Sequence, residues 1–200
     1  MASIIGHAFG GIITKKVVGD RLPISRERVF LFTLVFLALL PDFDIIIYII
    51  FKPSGMVPHR GLSHGIPFLF LIACISTLLT ANYFGIPKRK LFFVFLCALF
   101  SHPILDYLMG AGPPIAFLAP FYDGSFISPI SIIPWAFYSE SAAGLFQILY
   151  YPPALIGYCL ELMIFLPIVL LFKKFRARII RILLPAISVF AVTCTVLIYN

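Results

Sequence analysis

The residues best suited to chemistry in this sequence are four histidines and three aspartates in four short motifs. All the histidines of the chain belong to this set. The motifs are GHAFGG with His7, PDFD with Asp42 and Asp44, HRGLSH with His59 and His64, and SHPILD with His102 and Asp106. Imidazole and carboxylate ligands without thiolates suit zinc, with manganese or iron as alternatives. The motifs therefore predict a metal site built from distant segments.

Residue spacing in two of the motifs favours metal binding. His102 and Asp106 are four residues apart, so on one helix their side chains share a face and can hold the same ion. Asp42 and Asp44 would diverge on an unbroken helix. Pro41 favours the start of a new helix there, where the helix dipole attracts anions and both aspartates can turn inward. A pair of capping aspartates at a kink is the alternative interpretation.

The HRGLSH motif adds two histidines and a cation. Arg60 carries a fork of donors suited to a phosphate, although it can equally serve as a topological anchor. Surface histidines with ordinary partners are the alternative for His59 and His64, but two of only four histidines lie here. The seven candidate ligands exceed the four that one tetrahedral ion needs, so we expect one or two ions.

Transmembrane helices must position these residues. The chain is 62% hydrophobic and only 12% charged, whereas soluble domains carry about 25% charged residues. Apolar stretches at 29–51, 65–84, 91–109, 153–172 and 180–198 are each close to the ~20 residues that cross a bilayer as a helix. The sequence therefore predicts an all-α, polytopic membrane protein with about five transmembrane helices.

A shorter apolar segment at the N-terminus is predicted to form a further short helix. Residues 2–14 precede Lys15 and Lys16, the reverse of the basic-then-apolar order of a signal peptide, so we expect the segment to be retained. It suits a half-helix, a re-entrant segment or a surface helix. Without repeats or long linkers, residues 1–200 are predicted to form one domain. Its parts are the motif-bearing region 1–110, an outer loop 110–152 and C-terminal helices 153–198.

The distribution of charge predicts the orientation of the chain. The formal net charge is +7, and the basic residues concentrate in 15–28, 85–90 and 173–181, whereas 110–152 has none. Basic loops face the cytoplasm, which places 52–64 and 110–152 outside and the motifs near the outer, periplasmic face. His7 joins them if the N-terminus is outside. The positive charge is attributed to topology and anionic lipid, with no nucleic acid as partner.

Two smaller features have simple interpretations. The four cysteines are far apart in apolar stretches and are predicted to be free thiols in the lipid phase. Tyr122, Trp135 and Tyr138 in the outer loop suit the depth of the lipid headgroups. A lid over a lipid is the alternative for these aromatic residues.

On the four motifs, the sequence resembles the YdjM family of membrane-bound, metal-dependent hydrolases, described in bacteria as inner-membrane proteins under LexA control. This likeness covers roughly the first 110 residues. A more distant likeness is to zinc-dependent phospholipases C and related single-strand nucleases. Their ordered ligand series would here be His7, Asp42 or Asp44, His59, then His102 and Asp106. Those enzymes add a downstream histidine and acidic pair, but no histidine follows Asp106 here, which leaves the number of ions open.

The motifs and the resemblance together predict an inner-membrane hydrolase that uses a metal-activated water to cleave a phosphoester of a phospholipid or lipid-linked phosphate. We expect His59, His102, Asp106 and one of Asp42 or Asp44 to hold the metal, completed by His7 and His64. The candidates for catalytic roles are Asp42, Asp44, His64 and Arg60, with one aspartate as base and Arg60 on the phosphate.

Other functions remain open on the sequence. Proteolysis of membrane proteins is a second enzymatic possibility. A metal-ion transporter would place ligands at both faces or the midplane, whereas the cytoplasmic side here shows only basic residues. A non-catalytic protein with a structural zinc site would use a closed set of four ligands, and the surplus of candidates speaks against it.

Overall fold

The computed structural model describes residues 3–19, 22, 24, 26–51, 59–135, 142–148, 150–172 and 178–200. Its α-helices are α1 (Ile4–Val17), α2 (Glu27–Leu39), α3 (Phe43–Phe51), α4 (Ile66–Phe84), α5 (Lys88–Leu108), α6 (Ala142–Ile148), α7 (Pro152–Leu171) and α8 (Arg178–Tyr199). Within these residues the extended structure is one isolated bridge between Ile115 and Phe126. Tyr138 and the basic residues at 173–177 lie outside the described residues.

Five segments among the described residues are long and apolar enough to cross a membrane. They are Glu27–Phe51, Ile66–Phe84, Lys88–Leu108, Pro152–Leu171 and Ile179–Tyr199. Large apolar side chains on these segments, such as Phe32 at 73% and Leu79 at 76% exposure, point away from the protein. In a bilayer such side chains face lipid tails. The prediction of an all-α membrane protein with about five spans and a short N-terminal helix is confirmed.

The first span is broken at the PDFD motif. A single 3-10 turn, Leu40–Asp42, separates α2 from α3, and Asp44 lies in the first turn of α3. Pro41 accounts for the break because it has no N–H to donate and its ring disrupts the preceding turn. The break brings Asp42 and Asp44 to the end of one helix and the start of the next, as the proline predicts.

Helix α5 contributes to two hydrophobic cores among the described residues. It packs with α2 and α4 around residues that include Phe30, Leu69 and Phe95. Its C-terminal end contributes Leu105 to a second core with Phe9 of α1 and residues of α7 and α8. Helix α5 is therefore held on several sides, and it carries the HxxxD motif in a rigid position.

Glycines let α1 approach its neighbours closely. A Cβ at Gly11 would lie 2.7 Å from the carbonyl oxygen of Leu34 in α2, and one at Gly10 would lie 2.5 Å from Ser101 Oγ in α5. Small residues at helix contacts permit such packing within membranes. Helix α1 also packs against α7, so it lies in a cleft between three spans.

Replacing Gly11 by alanine should destabilise the protein, because the added methyl meets rigid backbone of α2. We expect a cost of about 1–3 kcal/mol, typical of overpacking, measured as a lower thermal unfolding temperature in detergent. Gly157→Ala is the matched control, since a Cβ at this helical glycine has no heavy atom closer than 3.5 Å. Equal stability of the two variants would contradict the close contact between α1 and α2.

Candidate metal centre

Side chains from all four motifs converge at one place in the structure. Four residues form each of two groups. Within each group the candidate ligand atoms all lie within 4.8 Å of one another, so each group could hold an ion. The groups are His7, Asp42, His102 and Asp106, and Asp42, His59, His64 and Asp106. Asp42 and Asp106 belong to both. The ligands come from α1, the 3-10 turn after α2, the segment before α4, and α5.

The two shared carboxylates divide their oxygens between the two groups. His7 Nε2 lies 3.8 Å from Asp42 Oδ2 and 3.4 Å from Asp106 Oδ1. On the other side, His64 Nε2 lies 3.8 Å from Asp42 Oδ1 and 3.4 Å from Asp106 Oδ2. His59 Nε2 lies 3.7 Å from Asp42 Oδ1. Each aspartate thus presents one oxygen to His7 and the other to the HRGLSH histidines.

Hydrogen bonds turn the Nε2 atoms of His64 and His102 toward each other as acceptors. His102 Nδ1 lies 2.7 Å from the carbonyl oxygen of Ala38 and must donate to it. Ser63 Oγ donates its proton to Asp44 Oδ2 over 2.7 Å. The same Ser63 Oγ must therefore accept a hydrogen bond from His64 Nδ1, which lies 2.9 Å from it. The two Nε2 lone pairs then face each other across 3.0 Å. Only a cation between them, a metal ion or a proton, relieves the repulsion.

Asp44 lies one layer outside the two groups. Its Oδ1 is 3.1 Å from His59 Nδ1, and its Oδ2 accepts from the backbone N–H of Arg60 at 3.3 Å and from Ser63 Oγ. Contacts of this kind fix the orientation and tautomer of metal-binding histidines. Asp44 therefore orients His59 directly and His64 through Ser63.

The Arg60 guanidinium is held by protein groups. It is 1% exposed, and its Nε donates to Asp106 Oδ2 over 3.1 Å. Its Nη1 donates to the carbonyl oxygens of Ala111 and Pro113, both at 2.8 Å. Arg60 also has a left-handed backbone, with φ 65°. This arrangement orients Asp106 and leaves little of the donor fork for a ligand.

The donor set fits a divalent cation. Both ring nitrogens of His7 and both carboxylate oxygens of Asp42 are buried without a hydrogen-bond partner among the described residues. Burial lowers the pKa of His64 to about 4, which leaves the ring neutral, the form that binds metal. Apart from the histidines, the three carboxylates of Asp42, Asp44 and Asp106 outnumber the single guanidinium of Arg60 by two negative charges. A dication would compensate this charge and would satisfy the unpartnered atoms.

The ligands share a depth across the predicted membrane. His102 lies fourteen residues after Lys88 on α5, and Asp42 lies fifteen after Glu27. At a rise of 1.5 Å per residue each is roughly 21 Å from the basic end of its span, most of the way across ~30 Å of hydrocarbon. All four motifs therefore meet toward the end of the bundle opposite to the basic helix ends at Arg26, Arg28 and Lys88–Lys90.

One buried ionisable residue near this centre was missed in the sequence interpretation. Glu161 lies in α7 and is 1% exposed, with hydrogen bonds to the first turn of α1. An acidic residue within an otherwise apolar span was a sufficient signal, since such residues are functional candidates by default. The four motifs all lie before residue 107, whereas Glu161 stands alone in a C-terminal span, outside any motif.

Comparisons with known proteins agree with the fold and extend the resemblance. The sequence matches the family described as YdjM inner membrane protein over residues 1–194. Inner membrane protein YbcI of Escherichia coli (strain K12) is 27% identical over 139 residues, covering 66% of this chain and 76% of YbcI. No solved structure matches the chain. The family match includes α7 and most of α8, well beyond the four motifs.

Arg60→Ala should be strongly destabilising, because it leaves the Asp106 carboxylate buried without its guanidinium. Removing one partner of a buried ion pair costs about 3–5 kcal/mol, which would appear as a large fall in the thermal unfolding temperature. Arg89→Ala, at an exposed arginine on α5, is the control. Arg60→Lys should restore only part of the stability, since lysine cannot span Asp106 and the two carbonyls. An Arg60→Ala variant as stable as Arg89→Ala would contradict the assigned role.

Proposed function

We propose that this chain, which belongs to the YdjM inner membrane protein family, is a metal-dependent hydrolase that cleaves a phosphoester. The observation that carries the proposal is the pair of carboxylates shared by two ligand groups. A divalent cation, with zinc expected and manganese or iron as alternatives, supplies an activated water and a Lewis acid when bound. Paired ions that share carboxylates are suited to phosphoester cleavage, since they contact both the attacking and the leaving oxygen.

The ligand groups support a division of labour among the histidines. His7 and His102 would hold one ion and His59 and His64 a second, with Asp42 and Asp106 between them. His102 Nε2 is also 3.2 Å from Asp42 Oδ1 and 3.0 Å from His64 Nε2, so it lies at the boundary of the two groups. Every histidine of the chain has a place in this scheme.

Asp44 and Arg60 would act as positioning residues. The contacts of Asp44 with His59, Ser63 and the Arg60 backbone favour orientation of histidines over direct ligation or a role as base. Arg60 would keep Asp106 in place and offset part of its charge. Both residues would serve the reaction by preorganising ligands, a large contribution in metal sites.

The surroundings of the centre favour a lipid as the source of the phosphate. The ligands lie near one end of the spans, where phospholipid headgroups are found. An apolar groove of about 440 Å³ lies beside α5 at the same level, lined by Ile104, Tyr107 and Leu108 together with Phe117 and Phe126. This groove offers a place for an acyl chain while a headgroup phosphate reaches the centre. The centre would face the periplasm under the positive-inside rule.

A direct test is hydrolysis of a panel of phospholipids and lipid-linked phosphates by purified, zinc-loaded protein. We expect release of a phosphorylated product by the wild type and loss of turnover to background in His102→Ala and Asp106→Ala. Asp123→Ala, at an exposed aspartate of the outer loop, should retain full activity. Turnover that survives the His102 and Asp106 substitutions would exclude this centre. Tight zinc binding without turnover of any substrate would favour a structural metal.

Asp44→Asn should weaken zinc binding while leaving the six direct ligands in place. The asparagine NH2 group cannot accept hydrogen bonds, so His59 and Ser63 would compete for the single remaining oxygen. Loss of such outer contacts typically lowers metal affinity by roughly 10- to 100-fold, measurable by calorimetric titration. Asp42→Asn should have a larger effect, and Asp123→Asn none. Equal losses in the Asp42 and Asp44 variants would indicate that Asp44 is itself a ligand.

A further inference from the structure

Glu161 is a buried carboxylate in the middle of α7 that the metal centre does not use. Its side chain is 1% exposed, in a helix that is otherwise apolar except for Tyr158 and small residues. An ionisable group at this depth is costly unless it is paired or hydrogen-bonded. The hydrogen bonds that the structure gives Glu161 all lead to the first turn of α1.

The Glu161 carboxylate caps the N-terminus of α1 from another helix. Its Oε1 accepts from the backbone N–H of Ser3 over 2.8 Å, and its Oε2 accepts from the N–H of Gly6 over 3.1 Å and from Ser3 Oγ. The first N–H groups of any helix lack partners within it, and water cannot replace them at a buried helix end. An anion there is also favoured by the helix dipole.

Among the metal-centre histidines, only His7 lacks a hydrogen bond that orients its ring. Ring nitrogens of His59, His64 and His102 contact Asp44, Ser63 and Ala38, respectively. Neither ring nitrogen of His7 has a hydrogen-bond partner among the residues that the structure describes. Its ring stacks on His102 with centroids 3.6 Å apart. The location of His7 is therefore set by where the α1 backbone lies.

The first turn of α1 connects Glu161 to His7. The backbone N–H of His7 donates to the carbonyl oxygen of Ser3 over 3.0 Å. Ser3, which is hydrogen-bonded to Glu161, therefore begins the helical turn that contains His7. Gly6 lies within the same turn, and a Cβ there would come 3.0 Å from Glu161 Oε1. Glycine at this position leaves room for the carboxylate.

We propose that Glu161 is a positioning residue of the metal centre, which holds His7 against Asp42 and Asp106 through the first turn of α1. The inference rests on the proposed metal centre and extends it to the C-terminal helices. It assigns to α7 a role in ion binding although α7 supplies no ligand. Glutamine cannot replace the carboxylate, because its NH2 group cannot accept from the N–H groups of Ser3 and Gly6.

The test is zinc titration of the full-length protein in detergent, with zinc affinity and stoichiometry as readouts. We expect Glu161→Gln to weaken the binding of one ion by roughly 10- to 100-fold and His7→Ala to weaken the same ion at least as much. The double variant should bind no more weakly than His7→Ala alone, because Glu161 acts through His7. Ser188→Ala is the control, since it removes a contact between α8 and Ile164 of α7 but leaves α1 untouched.

Each result bears on a separate claim. Wild-type zinc affinity in Glu161→Gln, or additive losses in the double variant, would overturn the positioning role. Should Glu161→Gln fail to fold, Gly6→Ala gives the same test, since its methyl displaces the carboxylate without removing its charge; unchanged affinity there also overturns the role. A wild type that binds no zinc would refute the metal centre itself. Zinc binding without hydrolysis would refute only the proposed activity.

Discussion

The main constraint on this structure is that carboxylates and imidazole lone pairs which repel one another are packed together away from water. The carboxylates of Asp42 and Asp106 both belong to the two ligand groups. The Nε2 atoms of His64 and His102 face each other across 3.0 Å. In a medium of low dielectric constant such an arrangement is unfavourable unless a cation compensates it. Arg60 compensates one of the carboxylates through its contact with Asp106. The remaining negative charge is what would suit the cluster to a divalent ion.

The helices hold these groups in place against their repulsion. Two of the ligands lie on α5, which is packed into both hydrophobic cores, and Asp42 lies at the break between α2 and α3. The HRGLSH segment is short and irregular, but Asp44 joins it to α3 through hydrogen bonds to His59 and Ser63. Rigid helices and a buried polar network together provide the preorganisation that a binding site for an ion needs.

The sequence predicted the spans, the break at Pro41 and the family, because hydrophobic length, proline chemistry and ordered motifs are local signals. The same signals singled out the six residues that the two ligand groups contain. They could not separate the roles of Asp42 and Asp44, since two aspartates two residues apart have the same local chemistry. Only the three-dimensional arrangement shows that Asp42 belongs to the ligand groups, whereas Asp44 contacts His59 and Ser63. Two carbonyl partners of Arg60, at Ala111 and Pro113, lie in a turn more than fifty residues away, which no spacing within HRGLSH indicates.

Helix α1 shows why the C-terminal half of the chain matters for a centre whose ligands all lie before residue 107. With 14 residues, α1 is too short to cross a bilayer, and Ser3, Gly6 and His7 at its N-terminal end are buried among other spans. A helix end at such a position needs partners for its N–H groups, and α7 supplies them through Glu161. Close contacts at Gly10 with α5 and at Gly11 with α2 hold the side of α1 in position. The half-helix is thus fastened at both its N-terminus and its flank, and under the proposal this fastening holds a histidine whose ring nitrogens have no hydrogen-bond partner among the described residues.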